Sequence, residues 1–164
     1  MSVKDYIGIG VLAVMIAIMP FIVGNEYYLG VLVFTALNCL TCIGLCLLLG
    51  YAGQISMGHS AFVAIGAYAS ALLTTKLGWN PWVAMGAGVA VSVVVAVIVG
   101  LPTLKLKGHY LAMGTLGFGS IVHVVLVASV DITGGPSGVS GIPRLGFFGF
   151  ELDTDTRFFY FSWA

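Results

Sequence analysis

Among the hydrogen-bonding side chains of one short run, Gly50-Tyr51-Ala52-Gly53-Gln54-Ile55-Ser56-Met57-Gly58-His59-Ser60-Ala61-Phe62, three are candidates to recognise a bound molecule. They are the Gln54 amide, the Ser56 hydroxyl and the His59 imidazole. No formal charge lies between Tyr27 and Thr75, so these groups are polar islands in an apolar stretch. A second such region holds the hydroxyl of Thr115 among Gly114, Gly117, Gly119, Ser120 and His123. The chemistry open to Gln54, Ser56, His59 and Thr115 is recognition of a solute along a pathway, and these four are the pathway candidates.

Bond-making chemistry finds no comparable support. Gly134-Gly135-Pro136-Ser137-Gly138 lacks the lysine and following helix pattern of a phosphate loop, so the chain is not expected to hydrolyse ATP itself. No catalytic residues, bound cofactor or metal are expected. Cys39, Cys42 and Cys46 share one helical face, but thiolates in hydrocarbon would need a compensating partner, so they read as small apolar packing groups. Glu151, Asp153 and Asp155 alternate without the glycine and glutamate spacing of a calcium loop and read as a solvated loop. His59, His109 and His123 each lack an acidic partner nearby in sequence, which favours hydrogen-bonded packing over a proton relay.

The elements that position these residues follow from composition. Of 164 residues, 60% are hydrophobic and 7% charged, with mean hydropathy +1.11. Soluble domains carry about 25% charged residues, so the class is an all-α polytopic membrane protein. Net charge is zero, and nothing points to nucleic acid. The first apolar run continues to Val23 without a small-residue cleavage site, so a cleaved signal peptide is not expected.

At about 20 residues per span, the expected helices cover Tyr6 to Val23, Tyr28 to Leu49, a third ending near Thr75, Trp82 to Leu101, and His109 to about Val130. Leu101 to Gly108 reads as a short loop holding Pro102, Lys105 and Lys107. Residues 131–157 read as a long loop. Phe158 to Ala164 opens another apolar run too short to cross a bilayer, so the expectation is five complete spans and the start of a sixth in a truncated chain. In the fourth span Ala84, Gly88, Ser92, Ala96 and Gly100 recur every four residues, a small-residue face suited to close helix packing.

The glycine-punctuated motif running from Gly50 to Phe62 and on to Gly66-Ala67-Tyr68 resembles the signature of LivM-type permeases of bacterial branched-chain amino acid ABC importers. Two further stretches are similar to the same family: Leu104-Lys105-Leu106-Lys107-Gly108-His109-Tyr110-Leu111-Ala112-Met113-Gly114-Thr115-Leu116-Gly117-Phe118, and Thr133-Gly134-Gly135-Pro136-Ser137-Gly138-Val139-Ser140-Gly141-Ile142-Pro143. The resemblance implies one transmembrane permease domain over residues 1–164, roughly the N-terminal half of a full subunit in the bacterial inner membrane. It also implies the partners: the lipid bilayer, a second related permease, two cytoplasmic ATPase subunits that use the ATP, and a periplasmic substrate-binding protein. Five spans with an inside N-terminus place the Lys105/Lys107 loop in the cytoplasm and residues 131–157 in the periplasm. The Lys/Arg count is tied across the two sides; the paired lysines and the resemblance favour this orientation.

Two readings of residues 50–59 stand side by side. Counting lengths from Leu49 places Gln54 and Ser56 in a surface turn, whereas early helix breaks would line a cavity with them. Few polar groups among small and apolar helices suit leucine, isoleucine or valine. Urea or short amides, carried by permeases of similar sequence, are the alternative. An ion-coupled secondary transporter is less favoured because no acidic residue occurs between Glu26 and Asp131.

Overall fold

A computed structural model describes residues 26–103, 105–106 and 108–143, together with 16, 18–19, 146–147, 150–151, 159–160 and 162–163. Among them, four helices are long and apolar enough to cross a membrane: α1 (Glu26–Ala52), α2 (His59–Leu77), α3 (Pro81–Thr103) and α4 (His109–Ala128). At 1.5 Å per residue they extend about 29 to 40 Å, sufficient for a hydrocarbon core of about 30 Å. The architecture is thus helical and polytopic. The expected first span lies outside the described residues apart from Ile16, Ile18 and Met19, which are helical, and the expected sixth is described only at Phe159, Tyr160, Ser162 and Trp163. Lys107, Asp153 and Asp155 also lie outside them.

Helix ends differ from the expected ones for local reasons. Gly50 is helical, and α1 continues to Ala52 because the first left-handed residue is Gly53, at φ 62°. α3 runs through Pro102 to Thr103, whose hydroxyl lies 2.9 Å from both the Val99 and Gly100 carbonyls and serves the last turn. α4 stops at Ala128; Ser129 interrupts it before the single turn α5 (Val130–Thr133) and a 3-10 turn at Gly135–Ser137. The loop expected from residue 131 onward therefore begins as folded structure. Strands β1 (Gly146–Phe147) and β2 (Phe150–Glu151) pair further along.

Polar side chains on these helices turn back on their own backbone. Thr35 donates to Val31 O at 2.9 Å, Asn38 to Phe34 O at 2.8 Å, Thr75 to Ala71 O at 2.7 Å and Ser120 to Leu116 O at 3.1 Å. Donors facing hydrocarbon are thereby satisfied locally. Cys39, Cys42 and Cys46 are exposed on α1 among the described residues.

The chain divides into two compact units, Met1–Leu40 with Phe147–Ala164, and Thr41–Gly146. In the first, Leu29, Val33 and Phe159 form the core, with Phe159 only 1% exposed and Ile16, Met19, Leu32 and Trp163 packed around it. The second holds the end of α1 and all of α2 to α5. Its main contact is the antiparallel pair α2 and α3. The Lys76 ammonium donates to the Asp131 carbonyl at 3.0 Å, tying the end of α2 to α5.

Candidate functional site

The second unit's geometry starts from the register of α2 against α3. Ala84 is fully buried, and the backbones nearly touch where Gly88 meets Gly66. A Cβ added at Gly88 would lie 2.6 Å from Gly66 O and 3.1 Å from the Ser70 Cβ. One turn on, the Ser92 hydroxyl donates to Phe62 O at 2.8 Å. The α3 face that packs is the small-residue face read from sequence, while Val93, Val94, Val97 and Ile98 point away. Its partner on α2 is Gly66 with Ser70, at the same four-residue spacing, and that pair carries no signal of its own until the two helices are set side by side.

That register leaves a step. With Phe62 level with Ser92 and Gly66 level with Gly88, α2 begins near the level of residue 95, and α3 continues for about two more turns, roughly 12 Å. Residues 53–58, which connect α1 to α2, fill part of the space beside this overhang and pack on α4. The Met57 N–H donates to the Thr115 hydroxyl at 3.0 Å, and that hydroxyl donates onward to Ala112 O at 3.0 Å. Gly58 abuts the Thr115 carbonyl so closely that any Cβ would collide with it, and a Cβ on Gly119 would lie 3.4 Å from the Gly58 Cα. Thr115 and Gly119 are six and ten residues into α4, so the link reaches about 9 to 15 Å past that helix's start. It is not a turn at the helix ends. α1 does not break early, yet Gln54 and Ser56 line a cavity.

The glycines here have different roles. Gly53 makes the turn; Gly58, at φ −103°, has a backbone open to any residue and is required for space. Its role could not be read locally because the obstacle is a carbonyl in a distant helix.

Between the link, α1, the overhang of α3 and the first half of α4 lies a cavity of about 320 Å³. This is at the lower end for small-molecule sites, at about 300–1,000 Å³. Its polar lining comes from Gln54, Ser56, His59 and Thr115, joined by Thr103; among the described residues no charged side chain lines it. All four pathway candidates are thus gathered around one space. Leu48, Ile55, Phe62, Val99, Leu111 and Phe118 supply apolar wall, with the Phe62 and Phe118 rings stacked at 5.1 Å and tilted by 32°. Gly44, Ala96 and Gly100 complete the lining. His59 lies over Gly44, where a Cβ would come within 3.3 Å of its Nε2. His109 and His123 are exposed and do not line the cavity.

The small-residue face therefore divides: Ala84, Gly88 and Ser92 meet α2, whereas Ala96 and Gly100 face the cavity. Lys105 is exposed in the turn after α3, where Lys105 N–H bonds to Pro102 O at 3.3 Å.

Helices fit to span a bilayer, one of them starting short beside a weakly polar cavity, define a multi-pass permease-type protein. Residues 27–164 match the family described as the branched-chain amino acid transport system permease component, and the chain belongs to that family. It is 36% identical over 156 residues to the high-affinity branched-chain amino acid transport system permease protein LivM of Salmonella typhimurium, and 34% identical over 156 residues to LivM of Escherichia coli. Each alignment covers 95% of this chain and 36% of the relative, so the chain spans about a third of their length. No solved structure gives a significant match. Family and apolar helices together make this a multi-pass protein of the inner membrane.

Proposed function

We propose that the chain is part of the permease subunit of an ATP-driven importer of leucine, isoleucine and valine, and that the cavity beside residues 53–58 belongs to the substrate pathway. The cavity carries this reading: a lining uncharged among the described residues, mostly apolar with a few hydrogen-bonding groups, suits an aliphatic side chain bearing a small polar head. α2 begins at the cavity without a side-chain cap, and the first amides of a helix favour a carboxylate. In this reading Gln54, Ser56, His59 and Thr115 surround the substrate's polar end during passage. ATP hydrolysis resides on two cytoplasmic partner subunits, a second related permease completes the path, and a periplasmic binding protein delivers the substrate. The Lys105–Gly108 turn faces the cytoplasm and residues 131–157 face the periplasm.

The test is uptake of labelled leucine by the full-length protein reconstituted with its second permease, ATPase subunits and binding protein. ATP-dependent uptake suppressed by unlabelled isoleucine or valine is expected. Suppression by urea instead would assign the pathway to short amides, and uptake without ATP would point to a secondary carrier.

A further inference from the structure

Side-chain bulk is uneven along the cavity's α3 wall. Val99 and Thr103 present full side chains, but Ala96 presents a single methyl and Gly100 none. A Cβ placed on Gly100 would meet no neighbouring atom within 4 Å, in contrast to Gly88 on the same helix, where it would press on backbone. The space in front of Gly100 is therefore open and belongs to the cavity. Filling it requires no displacement of main chain, and alanine would serve a helix interior better than glycine does. The same lining includes the bulky rings of Phe62 and Phe118, held against each other.

We infer that Gly100, with Ala96, sets the length of aliphatic side chain the pathway accepts, by leaving room for the outermost methyl groups of the larger substrates. This rests on the cavity's proposed role as an amino-acid pathway and adds which residues discriminate within that class. An apolar wall distinguishes substrates that differ by one methylene by about 10- to 200-fold, so side chains grafted onto Gly100 should penalise leucine before valine.

The experiment compares wild type, Gly100→Ala and Gly100→Val in the reconstituted full-length importer, all with the same binding protein, measuring KM and maximal rate for leucine and valine separately. Delivery is common to all three, so changes in the leucine-to-valine ratio report on the permease. Gly100→Val is expected to raise the leucine KM at least about tenfold relative to valine, with Gly100→Ala shifting it less in the same direction and accumulating like wild type. An unchanged ratio, or equal loss of both substrates in both variants, overturns the inference. Wild type that carries neither amino acid overturns the proposed function instead.

Discussion

α2 begins and ends in turns built from different materials. At its C-terminal end Gly78 takes a left-handed conformation (φ 62°), Trp79 N–H bonds back to Leu73 O at 3.2 Å, and the Asn80 side chain accepts the Trp82 N–H at 3.0 Å as Pro81 starts α3. Each of these bonds closes within a few residues, following ordinary stop and start chemistry. At its N-terminal end no side chain caps the helix, and the incoming link is held by a hydroxyl 58 residues away and by contact with a carbonyl on the same distant helix. The first turn can form as soon as its own residues are made. The second exists only once α4 has docked, so the cavity is a product of assembly.

This contrast can be broken most severely at Gly58. Gly58→Val drives a side chain into the Thr115 carbonyl, and overpacking of this kind costs about 3 kcal/mol; a lower thermal midpoint of the purified full-length protein is expected, together with loss of leucine uptake. Thr115→Val keeps the shape but removes the acceptor of the exposed Met57 N–H, a loss of about 1 kcal/mol. Thr115→Ser should restore both stability and uptake, and failure to do so would mean that the hydroxyl is not what holds the link. Asn80→Ala, at the locally built end, should cost only about 1 kcal/mol and leave uptake kinetics unchanged. If Asn80→Ala proves as damaging to transport as Gly58→Val, the two ends are not independent.

The same division explains what could be read in advance. Spans were legible because a bilayer demands length and apolarity, both visible residue by residue. Their ends moved by a few positions where local chemistry carried helices on, as at Pro102 and Thr103. Gln54, Ser56 and His59 stood out as polar groups in an uncharged stretch, but whether they lay in a surface turn or beside a cavity depended on the α2–α3 register and on Thr115. No feature of residues 50–59 encodes either. Division of the α3 face into a packed half and an open half was hidden for a related reason: the spacing from Ala84 to Gly100 is uniform, and only where α2 begins decides which small residues meet a neighbour.

Thr35, Asn38, Thr75 and Ser120 each donate a hydrogen bond to the carbonyl four positions earlier in the same helix. This has a bearing on biogenesis. Each donor engaged in this way removes one need for a neighbour before its segment enters hydrocarbon, which eases the entry of α1, α2 and α4 into lipid one at a time. Contacts between them, including the late docking of residues 53–58 on α4, can then form by lateral diffusion within the bilayer.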